Sequence, residues 1–324
     1  MSYGDDASFQ SWQMTAGTQE LSWLNVGIGM TFILFDIGVS SVFRLGIGLS
    51  LLIAALRCIG QLAVVATLLQ QVFENKNPWT VSLISFVLNF LGTFETVVHK
   101  SPRRFQHMFP AVLIAMLGST IPISILGAKF AMSVQPFWTP IQYIPIVGML
   151  CGATISGIVV AVGHILKEFQ ESRDKVEIYL AFGATRMEAC RPTAIQALKL
   201  ALTPPINNMS VLGIISIPGM MTGAILGGSS VQQAARLQMI IMFMITASTT
   251  LASIFTTFAA LSVVVDTENR IRPDRITYQS QSFLNIKEWN LDSFRYLLGR
   301  KKTEKAALDA EIAPTERTAL LGSR

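Results

Sequence analysis

Long apolar windows, separated by short polar segments, follow one another along most of the chain. Seven windows are long enough to cross a hydrocarbon layer of about 30 Å as helices, and they cover about residues 21–43, 51–73, 80–98, 110–134, 141–166, 205–227 and 237–265. Glycine and proline inside the later windows fit this interpretation, because membrane helices tolerate both. The pattern predicts an all-α integral membrane protein with a polar segment at 1–20 and a polar tail at 266–324.

The distribution of charge excludes a water-soluble protein of two domains, because whole windows of twenty or more residues contain one ionisable group or none. The chain has 324 residues, of which 51% are hydrophobic and only 14% are charged, whereas soluble domains carry about a quarter charged residues. The cysteines are three in number and indicate no disulfide framework. The segment 1–20 contains no basic residue and no apolar core, so we expect no secretory signal peptide there.

Basic residues are concentrated in every second loop. The loops on one side carry Arg44, Lys100, Arg103, Arg104, Lys167, Arg173, Lys175, Arg186 and Arg191. The intervening loops hold only Lys76 and Arg236, and Lys129 lies near the outer end of the fourth window. By the positive-inside rule, the N-terminus is predicted to lie outside or in a lumen and the tail in the cytosol.

The cytosolic loop 167–192 is longer than a simple connection needs. Three apolar residues share the i, i+3, i+4 spacing of one helix face: Val176, Tyr179 and Leu180. Gly183 is placed to end this helix, and Thr185 with Glu188 forms a capping box that would start the next. Pro192 is expected to mark a further break. The loop therefore predicts a rigid elbow suited to a docking partner, and a surface helix pair without a partner is the alternative.

The residues that follow carry a family resemblance. Glu177 precedes Gly183 by six residues, as in the loop by which ABC-transporter membrane subunits contact their ATPases. Three segments resemble FetB-type permeases: 176–185 (VEIYLAFGAT), 202–238 with its Pro-Gly-Met-Met-Thr-Gly element at 218–223, and 56–62 (LRCIGQL). These permeases are bacterial metal-export membrane subunits, and their plant relatives are the aluminium-sensitivity permeases. The resemblance covers roughly 45–265.

This resemblance implies a membrane subunit that works as a homodimer with a separate ATP-binding subunit and carries a metal ion or a related small solute. It also implies a set of residues that contact the ATPase: Glu177, Leu180, Gly183, Ala184 and Thr185. This chain has no G-x-x-x-x-G-K-[ST] phosphate loop. We therefore expect that it binds no cofactor itself, that it is not an enzyme, and that ATP is hydrolysed on the partner.

The sixth window combines small residues, a proline and a methionine pair. Gly219, Gly223 and Gly227 recur every four residues, a spacing that lets helix backbones approach closely in lipid. Pro218 removes a helical hydrogen bond and allows a kink. Three further candidates for the translocation pathway are Asn207, Met220 and Met221. Thioether sulfur is a soft metal ligand, so the methionine pair is interpreted first as packing and gating, and the metal ligands are left open.

Ionisable residues inside membrane helices are costly and are functional candidates for that reason. Asp36 is the charged residue of the first window, and Arg57 with Gln61 lies in the inner half of the second. An Asp36–Arg57 pair is possible, and snorkelling of Arg57 to the interface is the alternative. Glu95 lies in the last turn of the third window, and His99 follows one turn on, just past its cytosolic end. The two could take up a cation, or they could be interfacial residues that face Lys100 and Arg104.

Two other classes of protein share these features. A seven-helix receptor has the same topology, although the external segments here are minimal. A proton-coupled secondary carrier could use Asp36 and Glu95 as its carboxylates. Expected partners are the lipid bilayer, a second copy and the ATPase, and nothing indicates a nucleic acid.

The end of the tail carries a candidate sorting signal. Glu316 lies four residues before the pair Leu320 and Leu321, which resembles the acidic dileucine signals read by eukaryotic sorting adaptors. If an adaptor binds it, the protein resides in a vacuole- or lysosome-like membrane of a eukaryote. The alternative is that no adaptor binds the tail and the protein resides in the plasma membrane.

Overall fold

The computed structural model describes residues 22–74, 77–171, 173–265 and 276–278, which all lie within one compact unit, Met1–Ser280. The predicted polar segment 1–20 and the candidate sorting signal at Glu316, Leu320 and Leu321 lie outside the described residues.

Helices make up nearly all of the described chain. In chain order the elements are α1 (Trp23–Val42), α2 (Gly48–Glu74), α3 (Pro78–Phe94, continued by a π-helical turn, Glu95–Lys100), β1 (Arg103–Phe105), α4 (Met108–Leu126, continued by a π-helical turn, Gly127–Ala131), α5 (Pro140–Glu171), α6 (Arg173–Ala181), α7 (Arg186–Val211), α8 (Gly219–Leu226), α9 (Val231–Val264) and β2 (Ile276–Tyr278). Within the described residues, six helices are long and apolar enough to cross a membrane, namely α1 to α5 and α9. The predicted all-α membrane fold is confirmed.

The predicted sixth window, 205–227, is wrong as a single helix. α7 ends at Val211, and α8 begins only at Gly219. Between them Gly213 adopts a left-handed φ of +85°, a conformation that a helix cannot contain. Pro218, without an N–H, then serves as the N-cap of α8. The apolar window therefore contains a helix end, a non-helical segment and a short second helix.

The predicted break at Pro192 is also wrong, because α7 continues through this residue. A proline removes the hydrogen bond to the carbonyl four residues earlier, which here belongs to Glu188. Glu188 is exposed, so water can bind the carbonyl that Pro192 leaves unpaired. The helix tolerates the proline at this position for that reason.

α7 runs antiparallel to α9 along most of its length. At one end, Arg186 donates from Nη1 to the Val265 carbonyl, 3.4 Å away. At the other end, the Thr246 hydroxyl lies 3.6 Å from Met209 Sδ. Val265 and Thr246 are about 28 Å apart along a helix, which is close to the thickness of a hydrocarbon core of about 30 Å.

α5 and α9, in contrast, run parallel to each other. The hydroxyls of Thr154 and Ser248 lie 3.1 Å apart. One turn further along both helices, Gly157 faces Thr249 and Ser253. Two parallel helices that both cross a membrane need a connection that crosses back, and α7 lies where such a crossing would be. This arrangement supports the predicted count of seven crossings, which stays a prediction together with the orientation of the termini.

One end of the helix bundle gathers the basic loops and the start of the tail. β1 and β2 form an antiparallel pair in which Arg103 lies opposite Tyr278. Arg103 also donates from Nε to Gln170, at 2.8 Å, and its Nη2 lies 3.5 Å from Glu171 at the end of α5. Burial lowers the pKa of the neighbouring Arg104. The ends of α3 and α5 and the tail therefore meet on the side that the basic residues predict to be cytosolic.

The core lies among α3, α4, α5 and α9, and glycines set its closest contacts. A Cβ at Gly92 would lie 2.9 Å from Met116 Cε. A Cβ at Gly127 would meet Met244, and one at Gly157 would meet Thr249. The hairpin of α1 and α2 lies at the edge, because α1 packs mainly against α2 and no residue of the most apolar stretch of α2 is buried.

Candidate functional site

The elbow between α6 and α7 has the geometry that the sequence predicts. Gly183 adopts a φ of +88°, and its N–H donates to the Leu180 carbonyl at 3.0 Å. The next N–H, of Ala184, donates to the Tyr179 carbonyl at 3.1 Å. These two bonds form a Schellman motif, which closes α6 and favours glycine at its left-handed position. The predicted sharp corner at Gly183 and Ala184 is confirmed.

The capping box that starts α7 is present in full. The Thr185 hydroxyl oxygen accepts from the Glu188 N–H at 3.4 Å, and the Thr185 N–H donates to Glu188 Oε2 at 2.9 Å. The Thr185 hydroxyl also lies 2.7 Å from the same carboxylate oxygen. These hydrogen bonds lower the pKa of Glu188, because they favour its ionised form. The elbow is therefore rigid on both sides of its corner.

The two faces of the elbow differ in what they contact. Val176 is buried and Leu180 packs against the core, so these residues fix α6 to the bundle. Glu177 is half-buried. Four large apolar side chains point outward and form what we call the elbow patch: Ile178, Tyr179, Phe182 and Met187. Phe182 is 87% exposed. Sequence reasoning assigned Tyr179 to the inner stripe and missed Phe182, although it directly precedes the corner glycine.

A second candidate site links the peripheral hairpin to the core. Arg57 on α2 binds Glu95 at the end of α3 through two contacts, Nη2 to Oε2 at 2.6 Å and Nη1 to Oε1 at 3.3 Å. His99 Nδ1 lies 3.2 Å from the same Oε2, within ion-pair range but without hydrogen-bond geometry. Glu95 begins the π-helical turn Glu95–Lys100, and such turns are frequent at functional sites.

The suggested Asp36–Arg57 pair is wrong. A Cβ at Gly48 would touch Ile37, so the residue next to Asp36 lies level with the start of α2. Arg57 is about 13 Å further along α2 and extends to Glu95 instead. Asp36 is exposed on α1, and no partner for its carboxylate lies among the residues that the structure describes.

The remaining pathway candidates lie on other elements. Asn207 is exposed near the end of α7, and Met220 and Met221 are half-buried on α8. α7 packs against α5 and α9, and α8 packs against α9, whereas α3, which leads into the turn with Glu95, packs against α4 and α5. Gln61 is exposed on α2. The described part of the chain contains no cluster of three or more His, Cys, Asp or Glu side chains that could hold a metal ion.

A side chain at any of the α8 glycines would meet no other helix within the described chain. A Cβ at Gly219 or Gly223 would meet nothing within 4 Å, and one at Gly227 would meet only backbone oxygens of α8 itself. The close packing predicted for these glycines stays a prediction, and its partner would be another molecule.

Similarity to a known protein family extends over both candidate sites, the elbow and the Arg57–Glu95 pair. A family profile described as "Uncharacterised protein family (UPF0014)" matches residues 23–264. This chain belongs to that family. The matched range includes the elbow and the Arg57–Glu95 pair, and it excludes the tail with the candidate sorting signal.

Proteins similar to this chain come from bacteria and plants. "UPF0014 membrane protein slr1647" of Synechocystis is 31% identical over 74% of this chain and 92% of its own length. "Protein ALUMINUM SENSITIVE 3" of Arabidopsis thaliana is 31% identical over 61% of this chain and 71% of its own. "Probable iron export permease protein FetB" of Escherichia coli is 22% identical over 71% and 87%. The predicted family is confirmed. No solved structure matches the chain.

Proposed function

We propose that this chain is the membrane-spanning permease subunit of an ABC-type transporter, driven by a separately encoded ATPase. The observation that carries the proposal is the elbow patch, a cluster of exposed apolar side chains on a polar loop at the predicted cytosolic end. Exposed apolar clusters of this kind are typical of protein–protein contacts. The name of the Escherichia coli relative, which includes "permease", supports the transport role.

The elbow is built to transmit force rather than to yield. Its corner is closed by a Schellman motif and its second helix by a capping box, and Val176 anchors its inner face. α7 continues directly from the elbow and packs against both α5 and α9. A partner that pushed on the patch would therefore act directly on a long helix of the bundle.

The proposed cargo is a metal ion or a related small solute. The support is the printed names of two relatives, which refer to iron export and to aluminium. The proposed direction is export from the cytosol, supported by the word "export" in the name of the Escherichia coli relative. Two copies of the chain would complete the pathway, with the glycine face of α8 as a candidate contact between them. Asp36, Gln61, Asn207, Met220 and Met221 remain candidates for lining that pathway.

The proposed location is a vacuole- or lysosome-like membrane, supported by the acidic dileucine pattern at Glu316, Leu320 and Leu321. Replacing both leucines by alanine is expected to move a fluorescent fusion to the cell surface. An unchanged location of the fusion would reject the vacuole- or lysosome-like location and leave the permease proposal unaffected.

Co-purification with an ATPase tests the permease proposal directly. A tagged chain isolated from its native membrane should retain a separate ATP-hydrolysing subunit, and Phe182→Ser should reduce that recovery at least tenfold. Phe43→Ser is the matched control, because Phe43 is also a highly exposed phenylalanine, 72%, but lies at the end of α1. Equal recovery of the ATPase with both variants would reject the elbow patch as its docking surface. If no ATPase were recovered with the unmodified chain, a secondary carrier or a receptor would be favoured.

A further inference from the structure

One face of α7 carries polar side chains that are all exposed. Their spacing places them along a single side of the helix, and we call them the α7 polar stripe: Gln196, Lys199, Thr203 and Asn207. The opposite side of the helix carries the buried Ala197 and Ala201, and α7 packs against α5 and α9. The α7 polar stripe therefore points away from the part of the bundle that the structure describes.

Lys199 is the charged member of this stripe, and it lies far along the helix. α7 runs beside α9 over about 28 Å, and Lys199 is about 12 Å beyond Arg191 on α7. No acceptor for its ammonium group lies among the described residues. A charged side chain inside a membrane is costly, so such residues face a protein partner or water rather than lipid.

α1 carries an unpaired charge of the opposite sign. Asp36 is exposed and lies about 9 Å before α1 ends at Val42. α1 packs mainly against α2, and the contact between Ile37 and Gly48 belongs to this packing. Successive residues of a helix point about 100° apart, so Asp36 lies to one side of the contact. Its carboxylate is therefore open to another molecule.

The two unpaired charges lie at similar depths in the membrane. In the predicted orientation, α1 ends and α7 begins on the cytosolic side, where Arg44 and Arg191 lie. Asp36 is about 9 Å inward from the end of α1, and Lys199 is about 12 Å inward from Arg191. The difference of about 3 Å is within the reach of a flexible lysine side chain.

We propose that Lys199 of one copy forms an ion pair with Asp36 of a second copy, so that α1 of each chain covers the α7 polar stripe of the other. The pairing takes both charges out of contact with lipid, and two-fold symmetry gives two identical pairs. Arg57 and Glu95 show that opposite charges already join helices within this chain. Because the chain itself supplies both unpaired charges, a second copy is the partner that they fit. The inference rests on the homodimer of the proposed function and adds which faces meet.

Exchanging the two charges between copies tests the pair. Asp36→Lys and Lys199→Asp are placed in separate chains with different affinity tags, and both chains are produced together in one membrane. A mixed dimer then contains two attractive pairs, whereas each dimer of like chains contains two repulsive pairs. Capture through one tag should therefore recover mixed dimers in about tenfold excess over like dimers. Differently tagged unmodified chains should mix at random.

Lys129→Asp is the matched control for Lys199→Asp, because Lys129 is also an exposed lysine but lies on the π-helical turn after α4. Asp36→Lys with Lys129→Asp should give no excess of mixed dimers, which separates the pair from an effect of net charge. Random mixing of Asp36→Lys with Lys199→Asp would overturn the proposal, and it would leave the permease proposal standing if the ATPase still co-purified. An excess of mixed dimers without any ATPase would uphold the pair and reject the permease proposal.

Cross-linking provides a second measurement that needs no reversed charge. Asp36→Cys and Lys199→Cys are placed in separately tagged chains whose three native cysteines are replaced by alanine, and membranes are treated with a short bis-methanethiosulfonate. We expect a cross-linked product that carries both tags. In the control, Gly29→Cys replaces Asp36→Cys, because Gly29 lies on the same side of α1 and a Cβ there would meet nothing within 4 Å. This control should give about tenfold less product, since it places the thiol about 10 Å further along the helix. Equal yields from both positions, or no product from either, would overturn the proposal.

Discussion

Gly157 lies where α5 and α9 approach closely, and replacing it by alanine measures how tightly they pack. The added methyl group would meet Thr249 Cγ2 and would lie 3.1 Å from Ser253 Oγ. Thr249 is β-branched and cannot readily change its rotamer within a helix. Overpacking of this kind costs about 1–3 kcal/mol, whereas the gain in helix propensity from glycine to alanine returns about 1 kcal/mol. We therefore expect Gly157→Ala to lower stability or leave it unchanged.

Gly163→Ala is the matched control, because Gly163 lies on the same helix and a Cβ there would meet nothing within 4 Å. It should gain the helix propensity alone and raise stability. The two variants should then differ in Tm by about 2–6 °C in detergent-solubilised protein, with Gly157→Ala the lower. Adding Thr249→Ser, which removes the obstructing methyl group, should recover much of the loss. Equal Tm values for Gly157→Ala and Gly163→Ala would refute the proposed close packing.

Three further predictions concern the other sites. Removing either partner of the Arg57–Glu95 pair should lower the free energy of unfolding by about 1–3 kcal/mol, between the values for exposed and buried pairs. A double-mutant cycle should give a coupling energy of similar size, and strictly additive losses of stability would contradict this. Thr185→Ala should lower Tm by about 2–4 °C through loss of the cap. Hydrogen bonding lowers the folded-state pKa of Glu188. The stabilisation from these bonds is therefore present above the unfolded-state pKa and is lost as the pH falls through the folded-state pKa. The difference in Tm between wild type and Thr185→Ala should consequently shrink in acid. Gly223→Leu should leave insertion unchanged and abolish a dimer in native mass spectrometry, and a persistent, fully active dimer would make the α8 glycines incidental.

The elbow could be predicted from sequence because its determinants are local. The bonds that close the corner join residues at most five apart, and the capping box joins Thr185 to Glu188. Residue types such as glycine and threonine encode such motifs directly. The orientation of Phe182 could not be predicted in the same way, because the direction of a side chain at a helix end depends on how α6 packs against the bundle.

The errors arise where the outcome depends on distant neighbours. Arg57 had two acidic residues within plausible reach, and only the register of α1 against α2 decides that Glu95 binds it. Gly157 carries no sequence signal that separates it from Gly163, since the difference lies in Thr249 on another helix. The break between α7 and α8 was missed for another reason: hydropathy averages over a window, and Gly213 and Pro218 are both tolerated in membrane helices.

The elbow also contacts the far end of α9, which suggests how a push on it would reach this helix. Arg186 opens α7 directly after the N-cap, and its Nη1 donates to the Val265 carbonyl that ends α9, at 3.4 Å. Arg186→Met keeps an aliphatic side chain and removes the donor, so α7 and α9 lose this link. Under the proposed function, the ATPase should still bind the elbow patch, while transport per ATP hydrolysed falls several-fold. Arg186→Lys retains a donor and should keep most of the coupling. Equal coupling in wild type and Arg186→Met would refute this path, because the elbow would then act on α9 without the Arg186 contact.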